Sequence, residues 1–329
     1  MSVVDLLLLI FSVHSFASPI LRRGPQSGDA PYSVDAATLA AALSCPNGNP
    51  TDTAPPVLLV HGTISTGEES WGEGYVPALL ANGYTPCYVT LPSRALGDMQ
   101  VSAEYVAHSL HQISDLAGGA KTAVITHSQG GPVTQWALRF WPSTQSIVGA
   151  FVALAPDFAG IELGNSQLSD ICIGDLCQSS IWQQSSGSNY YEALHANDFS
   201  AKVPTTSIWT KFDGVVEPAK ENAQLPGAAV MSVQDLCPGR LTHHVFMTVD
   251  AAAFALTLDA LKHGGTASVS RVRANRLSAL GTCLRIVAPK MRSTVAESLG
   301  ELIKELAEGF FAGENRVTQE PPIMAYAAK

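Results

Sequence analysis

The chain has 329 residues, of which 46% are hydrophobic and 14% charged, so it can bury a large core. Its net charge is −9 with only 19 lysine and arginine residues, and no basic run is longer than Arg22-Arg23. This balance, together with the lack of a zinc-like spacing of cysteine and histidine, excludes nucleic acid as an expected partner.

Residues 1–17 have the pattern of a secretory signal peptide. The apolar run at 6–11 is too short to span a bilayer, and the small residues after it end at Ala17. Asp5 departs from the pattern, because a basic residue is usual there. The alternative interpretation is a buried N-terminal helix. The signal peptide predicts a secreted, extracellular protein with no stable membrane anchor.

A dibasic pair, Arg22-Arg23, follows the signal-like segment. It predicts removal of a short propeptide, residues 18–23, and one folded domain at 24–329. An ordinary solvated pair of arginines is the alternative interpretation.

The first third of the domain alternates continuous apolar runs with segments of helical spacing. Continuous runs are typical of strands buried on both faces of a parallel sheet, whereas apolar residues three and four apart predict helices. On this basis strands are predicted at 57–60, 85–91 and 122–126, and helices at 75–82 and 101–116.

The strand at 122–126 leads into Ser128 and then into two glycines, Gly130 and Gly131. Glycines at these positions let a following helix approach the strand while the serine backbone is held in a strained turn. This is the pattern Gly-x-Ser-x-Gly of a nucleophile elbow, with Thr126 in place of the first glycine. A chance serine in a strand-to-helix turn is the alternative.

Alternation of strand and helix continues downstream, which predicts an α/β fold with a mostly parallel sheet flanked by helices. The predicted helices lie at 132–140 and 250–262, and the predicted strands at 147–154, 205–210 and 228–233.

Residues 158–187 interrupt this alternation, because they are rich in serine, glycine, glutamine and aspartate. We interpret them as a small cap-like insertion. Six cysteines in an exported chain predict three disulfides with 15 possible pairings, and the five-residue spacing of Cys172 and Cys177 favours a local bridge.

Near the C-terminus, apolar residues recur at helical spacing opposite charged ones. Such a stripe predicts packing on the core, or alternatively the lining of an apolar substrate entrance by Phe310-Phe311. Its members are Val295, Leu299, Leu302, Ile303, Leu306, Phe310 and Phe311.

A serine nucleophile needs a histidine to take its proton and a carboxylate to orient that histidine. Asp213 follows the predicted strand 205–210, and His243-His244 follows the next strand, which gives the order Ser-Asp-His of an α/β-hydrolase. Asp157 is a rival acid or a second, protonated carboxyl in the site. Spacing alone leaves the choice between His243 and His244 open.

The tetrahedral intermediate of acyl transfer also requires an oxyanion hole. Gln129, directly after the predicted nucleophile, is one candidate donor through its amide. Thr63, in the turn that follows the first strand, is the second through its amide and hydroxyl. A plain strand end is the alternative for Thr63.

Several motifs resemble the Candida antarctica lipase B family of secreted fungal lipases over nearly all of the predicted domain. They are Val60-His61-Gly62-Thr63, Gly83-Tyr84-Thr85-Pro86-Cys87, Thr126-His127-Ser128-Gln129-Gly130-Gly131, Gln135-Trp136, Ala155-Pro156-Asp157, Trp182-Gln183-Gln184, Val203-Pro204-Thr205-Thr206 and Asp213.

The resemblance implies a triacylglycerol lipase or carboxylesterase that uses no metal or organic cofactor. It places the nucleophile on Ser128, the acid on Asp213 and the base on His244, with Thr63 and Gln129 as oxyanion donors. It also implies two disulfides, Cys45 with Cys87 and Cys237 with Cys283.

The chain departs from the family pattern at several positions. His127 stands where the best-known member has a tryptophan in the pocket that sorts alcohols, so this substrate pocket should differ. Cys172 and Cys177 are additional, and Gln319 replaces the first cysteine of a further family disulfide. Around His244 the usual Asp-His is His-His.

The leading hypothesis is therefore a secreted serine ester hydrolase that acts through an acyl-enzyme. The expected substrate is a lipid or other apolar ester, including one presented at a lipid-water interface. The expected oligomeric state is a monomer. Two alternatives remain: an acyltransferase or polyester hydrolase with the same triad, and a catalytically silent extracellular binding protein.

Overall fold

The computed structural model describes residues 28–162, 172, 176–295 and 316–328. The predicted signal peptide and propeptide lie outside the described residues. Part of the predicted insertion, at 163–171 and 173–175, and the apolar stripe after Val295 also lie outside them.

Seven strands of the described chain form one sheet, in the order β1-β3-β2-β4-β5-β7-β8. β1 pairs antiparallel with β3, and the other neighbours are parallel. Two further strands, β6 and β9, form a separate antiparallel pair. The strands are β1 (Leu43–Ser44), β2 (Pro56–Val60), β3 (Thr85–Val89), β4 (Thr122–His127), β5 (Val148–Leu154), β6 (Cys177–Gln178), β7 (Thr205–Trp209), β8 (Ala229–Ser232) and β9 (Arg316–Val317).

Helices connect the strands, and two of them, α4 and α11, are long. Within the described ranges, 3-10 turns occur at Pro92–Ala95 and His244–Thr248. The described helices are α1 (Ala36–Ala41), α2 (Gly67–Trp71), α3 (Tyr75–Leu80), α4 (Met99–Leu116), α5 (Gly130–Phe140), α6 (Thr144–Ile147), α7 (Ser179–Gln184), α8 (Asn189–His195), α9 (Ala219–Asn222), α10 (Val233–Leu236), α11 (Ala251–Lys262), α12 (Val269–Ala274) and α13 (Arg276–Leu284).

The sheet separates two hydrophobic layers, because successive side chains of a strand point to opposite faces. Leu58 and Val60 of β2 pack in one layer with side chains of α4 and α5. Val57 and Leu59 pack in the other layer with side chains of α3 and α11. Every residue of β2 is buried, as the continuous apolar run predicts. The predicted α/β-hydrolase architecture is confirmed.

The C-terminal segment closes one of these layers over α5. Tyr326 packs edge-on against Trp136, Phe140 and Trp141, and its hydroxyl accepts a hydrogen bond from Trp136 Nε1 at 3.1 Å. Residues far apart in sequence thereby fix the helix that follows Ser128.

Three disulfides join Cys45 with Cys87, Cys172 with Cys177 and Cys237 with Cys283, so all three predicted pairings are confirmed. Over the described ranges, no helix combines the length and apolar character that a bilayer span requires.

Candidate active site

Ser128 lies in a sharp turn between β4 and α5. Its backbone has φ 54°, in the left-handed region, and its amide donates to Leu154 O at 2.9 Å. A Cβ added at Gly62 would lie 2.8 Å from Ser128 Cβ, and one at Gly130 would lie 2.8 Å from Val60 O. Only glycine allows these close approaches, so the local sequence builds the strand-turn-helix geometry of a nucleophile elbow.

His244 and Asp213 meet beyond the carboxyl ends of β8 and β7. His244 Nδ1 lies 2.9 Å from the Asp213 carboxylate, and both side chains are almost fully buried. The backbone adds a second link, because the His244 amide donates to Asp213 O at 3.1 Å. Nδ1 therefore carries the ring proton, which leaves Nε2 as an acceptor when the ring is neutral.

The Asp213 carboxylate is held in its charged form. Burial alone would raise its pKa, but the His244 charge, the His244 hydrogen bond and the amides of Val216 and Val215 together lower it below its ordinary value. These two amides donate to Oδ1 at 2.7 and 3.1 Å. A charged acid behind the imidazole is what base catalysis requires.

The geometry distinguishes the two adjacent histidines. His244 binds Asp213, whereas the ring of His243 lies beside Gly214. The rival acid, Asp157, makes no hydrogen bond to a histidine among the described residues. The structure thus brings together the aspartate and the histidine that the resemblance assigns.

The Ser128 hydroxyl makes no hydrogen bond within the described part of the chain. Catalytic hydrogen bonds are often long or poorly aligned without substrate and shorten in the complex. The ring of its neighbour His127 lies 4.7 Å from the His244 ring, centre to centre, so the segment that carries His244 packs against the elbow. The roles of Ser128, Asp213 and His244 stay predictions.

His127 bridges the elbow and the histidine segment. Its Nε2 donates to the backbone carbonyl of His244 at 3.0 Å. Burial, with repulsion from His244, lowers the pKa of His127 to about 3, so the ring is neutral at physiological pH. A neutral imidazole here adds a polar side chain beside His244 without a competing charge.

Thr63 and Gln129 also come together. The Thr63 hydroxyl lies 3.2 Å from Gln129 Oε1 and 3.1 Å from Gln184 Oε1, and it can donate its single proton to either oxygen. The sequence did not indicate that Gln184, at the end of α7, contacts Thr63, although the motif Trp182-Gln183-Gln184 is part of the resemblance. Thr63 and Gln129 stay predicted oxyanion donors.

His61 is a second residue that the sequence did not single out as functional. The Leu91 amide donates to its Nε2 at 2.9 Å, so its Nδ1 carries a proton and donates to Gly62 O at 2.8 Å. Burial lowers its pKa to about 4. This neutral histidine ties the turn after β2 to the segment after β3.

Asp157 is fully buried beside the site. Tyr191 donates to its carbonyl and, at 3.1 Å, to Oδ2, while Oδ1 has no hydrogen-bond partner among the described residues. Burial raises its pKa to about 7, against the lowering effects of hydrogen bonds and of His244. The side chain is therefore a largely protonated carboxyl at pH values below about 7, as one of the two interpretations of Asp157 expects.

No group of three or more metal-binding side chains occurs within the described ranges. No family model matches the chain. Lipase B of Pseudozyma antarctica is 36% identical over 210 residues, which is 64% of this chain and 60% of that protein, so the match spans less than two thirds of the relative.

A solved structure extends the similarity to almost the whole chain. The crystal structure of Aspergillus fumigatus lipase B superposes with a TM-score of 0.82 at 30% identity, over 93% of this chain and 75% of that one. The order of strands in the sheet, the left-handed turn at Ser128 and this structural similarity all agree with the family that the sequence motifs indicate. The chain belongs to the lipase B family of α/β-hydrolases.

Proposed function

We propose that this protein is a carboxylic ester hydrolase of the lipase type that uses Ser128, His244 and Asp213. The observation that carries the proposal is the buried hydrogen bond between His244 Nδ1 and Asp213, beyond the same sheet edge as the left-handed turn at Ser128. A neutral imidazole oriented by a carboxylate can accept a hydroxyl proton.

In the first half-reaction, Ser128 Oγ attacks the ester carbonyl carbon while its proton moves to His244 Nε2. The carbonyl oxygen becomes an oxyanion, which Thr63 and the Gln129 amide stabilise. Collapse of the tetrahedral intermediate breaks the bond to the alcohol oxygen, and His244 returns the proton to that alcohol. The acyl group is then bound to Ser128.

In the second half-reaction, water attacks the acyl carbon after His244 removes its proton. Collapse of the second intermediate breaks the bond between the acyl carbon and Ser128 Oγ, His244 returns the proton to Oγ, and the carboxylic acid is released. Asp213 stabilises the imidazolium in both halves without itself taking the proton.

The proposed substrate is an apolar ester, presented at a lipid-water interface or free, and the proposed setting is extracellular. Three disulfides support an oxidising compartment. The activities of the lipase relatives support the substrate class. The default oligomeric state is a monomer.

Replacement of Ser128 by alanine tests the proposal. We expect wild-type protein to hydrolyse medium-chain p-nitrophenyl esters and to react with a fluorophosphonate probe, and Ser128→Ala to lose both. Ser143→Ala, at a surface-side serine bonded to Asp29, is the control and should keep both. A folded Ser128→Ala protein with full activity would contradict the proposal.

A further inference from the structure

An arginine and a glutamate lie directly behind the turn that carries Thr63. We call residues 61–66 the oxyanion loop. Arg94 Nη1 and Nη2 donate to the two carboxylate oxygens of Glu69, each at 2.8 Å. Most surface ion pairs contribute little, but a two-point arginine-carboxylate contact is the geometry that fixes both partners.

Arg94 of this pair binds the oxyanion loop at Ile64, the residue after Thr63. Arg94 Nη2 and Nε donate to Ile64 O at 2.9 and 3.2 Å, and the Ile64 amide donates back to Arg94 O at 2.8 Å. That amide belongs to the peptide group that joins Thr63 to Ile64. Its orientation therefore limits where the Thr63 backbone can turn.

Glu69 holds the loop at its other end. The Thr66 amide donates to Glu69 Oε2 at 2.9 Å, and the Glu69 amide donates to Thr66 Oγ1 at 3.3 Å, as a capping box at the start of α2. One carboxylate thus receives both the guanidinium and the end of the oxyanion loop.

On both sides of the contact between Arg94 and Ile64, the backbone has positive φ angles, which are unfavourable for residues other than glycine. Ile64 has φ 66°, which is rare for a β-branched residue, and Ser93, Arg94 and Ala95 have φ of 51°, 55° and 60°. Such conformations persist only where the surroundings determine them strongly, and they concentrate at functional sites. Ile64 is also buried in an apolar cluster.

From these contacts we infer that Arg94 and Glu69 are positioning residues, which hold the Thr63–Ile64 peptide so that the Thr63 hydroxyl is preorganised to bind the oxyanion. This inference rests on the proposed function. Because neither side chain touches the reacting atoms in this scheme, their effect must pass through Thr63.

A double-mutant cycle separates that effect from simple loss of stability. Arg94→Gln, Glu69→Gln and Thr63→Val are made alone, and the first two also in the Thr63→Val background. kcat and KM are measured on a medium-chain p-nitrophenyl ester, with active sites titrated by the fluorophosphonate probe. The Ki of an alkyl boronic acid, which forms a tetrahedral adduct, is measured in parallel.

We expect Arg94→Gln and Glu69→Gln to lower kcat about tenfold or more with KM within twofold, and to weaken boronate binding in parallel. Loss of one oxyanion donor typically costs about 10²–10³ in kcat, which bounds the effect from above. In the Thr63→Val background either change should cost less than about threefold more. Arg94→Lys keeps the positive charge but cannot make the two-point contact with Glu69. Its kcat should therefore lie between those of Arg94→Gln and wild type.

Arg271→Gln is the matched control. Arg271 also makes a two-point contact to a carboxylate, Asp259, and bonds a backbone carbonyl, with a similar exposed fraction of 40% against 38% for Arg94. It should keep wild-type kcat.

Three results would overturn the inference: full activity of Arg94→Gln, equal losses with and without the Thr63 hydroxyl, or a loss confined to KM. Wild-type protein that neither hydrolyses esters nor reacts with the probe would instead overturn the proposed function, and with it the role assigned here.

Discussion

At the scale of single residues, the site combines three buried titratable groups with different charge states. Asp213 is held charged by its hydrogen bonds, whereas His127 and Asp157 are driven toward their neutral forms by burial. Both aspartates are buried, so the difference between them comes from the His244 charge beside Asp213 and from the number of donors that each carboxylate finds. Asp213 finds three, and Asp157 leaves one oxygen without a partner.

The raised pKa of Asp157 predicts a pH-dependent contribution to stability. Its pKa is about 7 in the folded chain against an ordinary value of 3.8, so between these values the folded chain keeps a proton that the unfolded chain releases. The stabilising contribution of Asp157 is therefore largest at low pH, is lost as pH rises from about 4 to about 7, and changes no further above that.

Asp157→Asn cannot ionise and should lack this loss. Relative to wild type, its free energy of unfolding should rise between pH 4 and pH 7, by at most about 4 kcal/mol for a three-unit pKa difference. Urea unfolding at a series of pH values measures it. Asp52→Asn, at an exposed position, is the control, and parallel curves for wild type and Asp157→Asn would contradict the prediction.

His127 predicts the alcohol preference of the enzyme. Its ring lies beside Gly62 and the His244 backbone, so the larger indole of a tryptophan would take up volume beside the elbow. His127→Trp should lower kcat/KM for esters of bulky secondary alcohols about tenfold or more relative to methyl esters, because pocket volume discriminates by that order. An ester panel on both proteins measures this ratio, and an unchanged ratio would show that His127 does not line the alcohol pocket.

At the scale of elements, the elbow depends on how closely α5 approaches the end of β2. A Cβ at Gly130 would lie 2.8 Å from Val60 O and 2.9 Å from His61 O, which is closer than real contacts allow. The helix can therefore not move toward β2 any further, and it cannot accept a side chain at its first residue.

Gly130→Ala should destabilise the protein by about 1–3 kcal/mol, the usual effect of overpacking, and should lower activity because His61 begins the oxyanion loop. Gly281→Ala, in α13, is the matched control, since a Cβ there would meet nothing within 4 Å. The control should be neutral or stabilise by up to about 1 kcal/mol. Urea unfolding with titrated kcat measures both, and equal behaviour of the two variants would contradict the close approach.

At the scale of the whole molecule, two long-range disulfides secure different parts of the fold. The bridge from Cys237 to Cys283 encloses the segment that bears His244, and Arg240 in that segment donates to Asp250 and to the carbonyl of Ile286. The bridge from Cys45 to Cys87 joins the N-terminal part of the domain to β3.

Removal of either bridge by paired alanines should cost about 3–4 kcal/mol in the chain-entropy model, because the enclosed loops are similar, with separations of 46 and 42 residues. Only loss of Cys237–Cys283 should also lower kcat at temperatures where the protein stays folded. Unfolding curves and titrated kcat test this, and equal kcat for the two double variants would contradict it.

Much of this molecule could be predicted because its strands are continuous apolar runs and its elbow is local in sequence. The strand ends differ from the predicted ones by one or two residues, and the two-residue β1 was missed because so short an edge strand has no apolar pattern. Two contacts could not be predicted: the hydrogen bonds of Arg94 to Ile64 and the hydrogen bond of Thr63 to Gln184. They join distant segments through loop conformations, which leave no periodic pattern in the sequence. The spacing of residues left two candidate acids, Asp157 and Asp213, and two candidate bases, His243 and His244. Only three-dimensional contacts distinguish the members of each pair.

The aromatic contact between Trp136 and Tyr326 spans 190 residues of chain. During translation, the helix behind Ser128 therefore emerges long before the residue that covers it is made. Completion of this layer must wait until the ribosome has synthesised Tyr326, so the turn at Ser128 acquires this support only after nearly two hundred further residues have been added.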